Sequence, residues 1–271
     1  MNSIIFLCAI IACAAARNIA PGGRVAEGKD AVRGEFPYQV SIQRVYTNQY
    51  MAFCGGAILS PDYVLSAAHC FGEPDQTSNY RVVAGILNLN DVNVGEQIRN
   101  IKKISNHELY PGNDVAAPHD IAVVELLDPL SYSATIKPAL LPAPNQEYTG
   151  LATLSGWGST EKLVAQPNTL QYVDLPVISI EECNDNINKA IFGTNPLDLE
   201  NNVCTGSAAH EMACSGDSGG PLAINGTVIG VVSWGISGCG TDLNPPTVYV
   251  KVSKYIDWIG EHSSGVVPSA L

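Results

Sequence analysis

Three short segments of the chain carry residue types that can together perform nucleophilic catalysis. They contain His69 within residues 66–70, Asp120 within residues 119–126 and Ser218 within residues 216–221. A serine hydroxyl is a poor nucleophile at neutral pH, so a neutral imidazole must take its proton as it attacks a carbonyl carbon. A buried carboxylate then holds the imidazole in the required tautomer and stabilises the imidazolium. The residue types therefore predict Ser218 as nucleophile, His69 as base and Asp120 as orienting acid.

Each segment alone has an ordinary structural explanation. A lone histidine is often a satisfied core residue, an aspartate before a strand is often a cap, and a serine among glycines is often a turn. The joint occurrence is more specific, because Cys70 adjoins His69 and Cys214 lies four residues before Ser218. The glycines around Ser218 also let the backbone approach a substrate and direct N–H groups at a developing oxyanion.

The order His, Asp, Ser, with these flanking residues, resembles the chymotrypsin-like (trypsin-like) secreted serine peptidases, and an invertebrate chymotrypsin or elastase-like member in particular. The resemblance runs from Val25 to about Glu261. It implies an all-β fold of two antiparallel β-barrels with a C-terminal helix and the active site in the cleft between the barrels. It also implies an oxyanion hole formed by the backbone N–H groups of Gly216 and Ser218. It further implies a substrate-binding strand that contains Ser233, Trp234 and Gly235. Ser233 would also donate a hydrogen bond to the Asp120 carboxylate.

Processing is predicted at the start of the chain. Residues 1–16 are apolar and end in small residues, which is typical of a secretory signal peptide. Residues 17–24 resemble an activation peptide cut after Arg24, and residues 25–271 the peptidase domain, with barrels at roughly 25–140 and 141–271. The resemblance implies that the freed amino terminus of Val25 pairs with Asp217. The usual Ile-Val-Gly-Gly is replaced here by Val-Ala-Glu-Gly.

Three residues align with the primary specificity pocket of the family: Met212 at the floor, and Gly235 and Thr247 on the walls. Trypsin-like members carry Asp at the floor, and Met cannot neutralise a buried guanidinium. Cleavage after Leu, Phe, Tyr or Met is therefore expected. The alternative is an elastase-like preference for Ala or Val if Thr247 protrudes. Asp242, in the loop after Cys239, is a further alternative that would restore a preference for basic residues.

Composition restricts the partners and cofactors. The chain has 271 residues with 14 Lys plus Arg and 26 Asp plus Glu, a formal charge of −12. Binding to nucleic acid or to an anionic membrane is disfavoured. We expect no cofactor, no metal and a secreted monomer that acts on protein or peptide substrates, is activated by a trypsin-like protease and meets protein protease inhibitors. Of the eight cysteines, Cys8 and Cys13 lie in the predicted signal peptide, and the remaining six allow 15 pairings. The resemblance implies bridges Cys54 to Cys70, Cys183 to Cys204 and Cys214 to Cys239.

Local signals predict a hairpin and a helix. The pair Asn225-Gly226 between two apolar runs predicts a two-residue hairpin turn. Asn225 also begins an N-glycosylation sequon, which a tight turn explains equally well. Ser253 is predicted to cap a terminal helix over residues 255–259. Two alternatives to an active digestive endopeptidase stay open: a catalytically inactive homologue that acts by binding, and a regulatory cascade protease.

Overall fold

The computed structural model describes residues 28–72, 74–112, 116–159, 167–191, 193–206, 213, 216–236 and 245–266. Strands dominate this part of the chain, with two α-helices and three 3-10 turns. The strands are β1 (Lys29–Asp30), β2 (Gln39–Tyr46), β3 (Gln49–Ile58), β4 (Tyr63–Ser66), β5 (Tyr80–Ala84), β6 (Gln97–Asn106), β7 (Ala122–Leu126), β8 (Gly150–Gly156), β9 (Gln171–Ile178), β10 (Asn202–Thr205), β11 (Pro221–Ile224), β12 (Thr227–Gly235) and β13 (Thr247–Lys251). The helices are α1 (Ile180–Ala190) and α2 (Ile256–His262), and the 3-10 turns are Ala68–Cys70, Thr77–Asn79 and Val252–Lys254.

The first six full strands close into a barrel in the order β2-β3-β4-β7-β6-β5. All pairings are antiparallel, with register pairs such as Ile42 to Val82 and Val64 to Val124. These β-branched residues are fully buried, and they fit a pleated surface well because branching at Cβ already restricts their rotamers. The barrel core thus follows from apolar β-branched residues repeated along short strands.

The second barrel has the order β9-β10-β13-β12-β11-β8 and closes through a β8–β9 pairing. The short strand β1 pairs with the start of β9, which β10 does not reach, and Lys29 lies opposite Tyr172 there. The predicted hairpin joins β11 to β12, with Asn225 and Gly226 at φ +50° and +80°. Left-handed φ values at both turn residues give a turn whose twist matches the strands, so this prediction is confirmed, as is the fold of two antiparallel barrels with a C-terminal helix.

The C-terminal helix is present, but its start was predicted wrongly. Helix α2 begins at Ile256 after Tyr255, and no side chain caps it. Ser253 lies in the preceding 3-10 turn, and its buried Oγ has no hydrogen-bond partner among the described atoms. Burial of Ile256 and Ile259 in the core of the first barrel positions the helix instead. Tertiary packing therefore overrides the capping signal.

Helix α1 was not predicted from the sequence. Ser179 accepts a hydrogen bond from the Glu182 backbone N–H at 3.1 Å, so it caps the helix. The spacing Ser-x-x-Glu is a capping signature. Only Cys183 and Ile187 of the helix are buried, and this narrow apolar face gives weak periodicity.

Two of the three implied disulfides are confirmed. Cys54 pairs with Cys70, and Cys183 pairs with Cys204. Cys214 and Cys239 lie outside the described residues. In the part of the chain that the structure describes, no helix is long and apolar enough to span a bilayer.

Candidate active site

His69 lies in the 3-10 turn directly after β4, and the Cys54–Cys70 bridge ties this turn to β3. Its backbone N–H donates to Asp120 Oδ1 at 2.8 Å, and its ring Nδ1 lies 2.7 Å from Asp120 Oδ2. The carboxylate thus fixes both the backbone and the ring of the histidine. Asp120 is 2% exposed and the His69 side chain 24% exposed, so the acid is sealed while the ring reaches solvent.

Asp120 joins the two barrels. It lies just before β7 of the first barrel, yet Ser233 of β12 in the second barrel donates its Oγ proton to Asp120 Oδ2 at 2.6 Å. The β12–β13 register shifts between Val232 and Trp234, which marks a bulge at Ser233. A bulge redirects a side chain from its regular alternation. Short hydrogen bonds to a carboxylate are among the stronger polar contacts in proteins, so this bond fixes the geometry between the barrels.

The backbone around Ser218 docks against the segment that carries His69. The Gly55 N–H of β3 donates to the Ser218 carbonyl at 2.8 Å. Gly219 has φ +73°, and a Cβ there would overlap Ser66 Oγ and lie 3.1 Å from the Ala67 nitrogen. Glycine at 219 therefore allows a close approach that places Ser218 beside the residues leading into His69.

The residue before Ser218 is anchored in the second barrel. Asp217 is fully buried, and its Oδ1 accepts a hydrogen bond from the Gly158 backbone N–H at 2.8 Å. A Cβ at Gly156 or at Gly158 would overlap the carboxylate. Gly216 adopts φ +103°, a conformation that other residues rarely reach. Sequence reasoning missed Gly156 and Gly158, whose signal was the pair of glycines around Trp157.

The predicted substrate strand has an open edge. The β11 pairing of β12 ends at Val231, while the β13 pairing continues to Gly235 opposite Thr247. Backbone bonds from the Ser218 loop reach only Val232, so on this side residues 233–235 pair with nothing in the described chain. Trp234 is buried and Gly235 exposed. This edge has the backbone donors and acceptors that an extended peptide requires.

Thr247 lies at the base of this strand. It is buried, and its Oγ1 accepts a hydrogen bond from the Ala213 N–H at 3.3 Å. Tyr249 Oη lies 3.1 Å from Thr205 Oγ1, and burial raises the Tyr249 pKa, so the phenol stays neutral. Among the described residues, no atom lies within 4 Å of the place where a Gly235 Cβ would stand. One wall position is therefore filled and the other is open.

The structure brings nine of the expected site residues into this region. They are His69, Asp120, Gly216, Asp217, Ser218, Ser233, Trp234, Gly235 and Thr247. Arg24, Val25, Met212 and Asp242 lie outside the described residues. The processing site, the Met212 pocket floor and the alternative role of Asp242 therefore stay predictions.

Comparison with known proteins agrees with this geometry. The family model "Trypsin" matches residues 25–259. Trypsin-1 of Astacus astacus is 35% identical over 239 residues, which are 86% of this chain and 97% of the relative. Fibrinolytic enzyme, isozyme C, of Lumbricus rubellus is 38% identical over 245 residues, 87% of this chain and 98% of the relative. Trypsin II-P29 of Gallus gallus is 34% identical over 263 residues, 94% of this chain and 97% of the relative. With two barrels meeting at Asp120 and a family match over nearly the whole chain, this protein belongs to the trypsin family of serine endopeptidases.

Proposed function

We propose that this hydrolase is a secreted, chymotrypsin-like endopeptidase made as a zymogen, with His69, Asp120 and Ser218 as its catalytic residues. The observation that carries the proposal is the arrangement around Asp120. Its carboxylate accepts two bonds from His69 of one barrel and one from Ser233 of the other. Such a network fixes a histidine for proton transfer and at the same time fixes the two barrels relative to each other.

In this mechanism Ser218 Oγ attacks the scissile carbonyl carbon while His69 Nε2 takes the hydroxyl proton. Nδ1 keeps its proton in the bond to Asp120, which stabilises the imidazolium that forms. The N–H groups of Gly216 and Ser218 stabilise the oxyanion. His69 then protonates the leaving amine, and water hydrolyses the acyl-enzyme with His69 again as base. Removing one oxyanion donor in comparable enzymes costs about 10²–10³ in kcat, so the conformation of the Ser218 loop matters as much as the triad.

The substrate lies as an added antiparallel strand on the open edge of residues 233–235. Backbone pairing gives affinity with little dependence on sequence, and the pocket next to Gly235 selects the side chain before the cleaved bond. This mode of binding suits an endopeptidase, because an extended chain can pass through the cleft without a free end. Protein protease inhibitors that present an extended loop are expected partners of the same edge.

The pocket is proposed to accept apolar side chains. Met212 offers no charge for an arginine or lysine, and the described pocket residue Thr247 presents a hydroxyl already bonded to Ala213. An unpaired buried guanidinium would cost several kcal/mol, about 3–5. Phe, Leu, Tyr and Met are therefore preferred over Arg and Lys. The second candidate is a preference for Ala or Val, which would follow if the buried Thr247 side chain protrudes into the slot.

Secretion and activation complete the proposal. Cleavage after Arg24 by a trypsin-like protease frees Val25, whose amine pairs with the buried Asp217 carboxylate and orders the Ser218 loop. The fully buried position of Asp217 supports this, because an opposite charge stabilises a carboxylate that is buried away from water. The enzyme is expected to act as a monomer.

The test is hydrolysis by the trypsin-activated protein, with the trypsin then blocked, on matched peptides ending in Phe, Leu, Ala or Arg. We expect cleavage after Phe and Leu that is lost in Ser218→Ala. A preference for Ala would establish the elastase-like candidate. No cleavage of any peptide, despite a confirmed cut after Arg24, would support the inactive homologue that acts by binding.

A further inference from the structure

Four aromatic rings form a continuous column beside Asp120, which we call the ring column: His119, His107, Trp258 and His262. The rings of His119 and His107 stack with centroids 4.7 Å apart and planes 10° apart. His107 lies 5.0 Å from Trp258, and Trp258 stacks on His262 at 4.4 Å. The column therefore connects the residue next to Asp120 with helix α2.

His119 is held in an unusual backbone conformation by its ring. It has φ +56°, which is uncommon for a residue other than glycine. Its Nδ1 lies 2.9 Å from the Tyr255 hydroxyl, and its carbonyl accepts the Ile121 N–H at 2.8 Å. A strained residue persists only where its surroundings hold it. Since His119 adjoins Asp120, release of the ring would move the carboxylate that orients His69.

A positive charge on His107 would destabilise the stack that its ring forms with His119. The Leu109 N–H donates to His107 Nδ1 at 3.2 Å, so this nitrogen accepts a hydrogen bond and the His107 ring is neutral. Adding a proton to His107 Nδ1 would break that bond and place a positive charge within the stacked rings. Burial, and then His119 and His262, lower the pKa of His107 against the opposing effect of Glu108.

Other charged groups face the column from each element packed on it. Glu108 binds His262 Nε2 at 3.1 Å and Trp258 Nε1 at 2.8 Å. Burial raises the pKa of Asp198, before β10, but hydrogen bonds from Asn201 and Glu200, and to a smaller extent His119, bring this pKa below its usual value. Burial, Asp198, Asp120 and Glu200 raise the pKa of Tyr255, so its hydroxyl keeps its proton. Glu108 therefore pairs with Trp258 and His262, at the end of the column away from Asp120.

We infer that His119 is a positioning residue for Asp120 and that the ring column holds it in place only while the His119–His107 stack is uncharged. The inference rests on the proposed peptidase function. On acidification the enzyme would lose activity through a proton on the column in addition to the proton on His69. Asparagine at 119 tolerates the same left-handed backbone and carries no imidazole ring.

The experiment compares pH profiles of kcat/KM for the activated wild type and for His119→Asn between pH 4.5 and 9, each normalised to its own plateau. The wild type should fall by more than one decade per pH unit on the acid side, through kcat rather than KM. His119→Asn should fall by one decade per unit. Superimposable acid limbs would overturn the inference. A second variant, His107→Phe, keeps an aromatic stack without the proton and should also give the shallower limb.

A stability measurement separates this inference from the proposed function. The pKa of His107 is lower in the folded protein than in the unfolded chain. As pH falls below about 6.5, the unfolded chain binds a proton at His107 before the folded protein does. The free energy of unfolding therefore falls as pH drops to the lowered folded pKa. In the Ser218→Ala chain, Tm should therefore fall further between pH 8 and pH 5 than it does in Ser218→Ala with His119→Asn. Equal losses would refute the column even if the wild type proved inactive, and unequal losses would sustain it without any hydrolysis.

Discussion

The substitution Gly158→Ala tests how the residue before the nucleophile is held. A Cβ at position 158 would overlap the carboxylate of Asp217, which is fully buried and accepts the Gly158 N–H at 2.8 Å. The carboxylate must therefore move by most of an ångström. A hydrogen bond to a charged group contributes about 1.5–3 kcal/mol, and the displaced charge has no access to water.

The expected result is a large loss of turnover. Asp217 precedes Ser218, so its movement shifts the backbone N–H groups that are proposed to form the oxyanion hole. Misplacement of catalytic groups by about 1 Å costs about 10²-fold, so kcat/KM should fall by about that factor or more, with the change in kcat. The free energy of unfolding should fall by about 1.5–3 kcal/mol from the lost charged hydrogen bond.

The assay is steady-state hydrolysis of a peptide ending in Phe or Leu by equal amounts of folded, activated protein, with Tm measured beside it. Gly72→Ala is the matched control, because no atom of the residues that the structure describes lies within 4 Å of a Cβ at that position. It should leave both quantities nearly unchanged. If Gly158→Ala retained kcat/KM within threefold of the wild type, the proposed role of the Asp217 anchor would be refuted.

Three further predictions address specificity, activation and the fold. Thr247→Gly should raise the ratio of kcat/KM for Phe over Ala peptides by about 10- to 200-fold, since one methylene in a pocket changes binding by about 1–3 kcal/mol. Thr247→Ser keeps the hydroxyl that is bonded to Ala213 and should change the ratio less. Equal ratios in the wild type and both variants would show that Thr247 does not line the pocket. Arg24→Gln should leave the protein inactive after trypsin treatment, as measured by peptide hydrolysis and N-terminal sequencing, and full activity without the cut would contradict the zymogen proposal. Ser179→Ala should lower the free energy of unfolding by about 1 kcal/mol through loss of the α1 cap, and no change in urea denaturation would show that the cap is dispensable.

The sequence predicted what depends on local chemistry. The Asn225-Gly226 turn was found because left-handed φ at two successive positions demands these residue types. The pairing of His69 with Asp120 followed from the need of a catalytic base for a carboxylate, and from the family resemblance. In each case a few neighbouring residues contain the whole physical requirement.

What the sequence did not predict depends on distant packing. Ser253 has the right type to cap a helix, yet the burial of Ile256 and Ile259 in the first barrel sets where α2 begins. The ring column joins residues more than 130 positions apart, because His107 contacts Trp258 of α2 and His119 bonds Tyr255 just before α2. No periodicity in the chain signals such a contact, because it arises only when α2 packs on the barrel.

The central claim is that Ser218 is a nucleophile activated by His69 and Asp120. The most direct measurement treats the activated protein with a fluorophosphonate, which forms a covalent bond to an activated serine, and locates the adduct by peptide mass spectrometry. We expect one adduct per molecule, on Ser218, with none in Ser218→Ala and labelling slowed by orders of magnitude in His69→Ala. Absence of the adduct in folded protein with a confirmed cut after Arg24, or an adduct on another serine, would contradict the account.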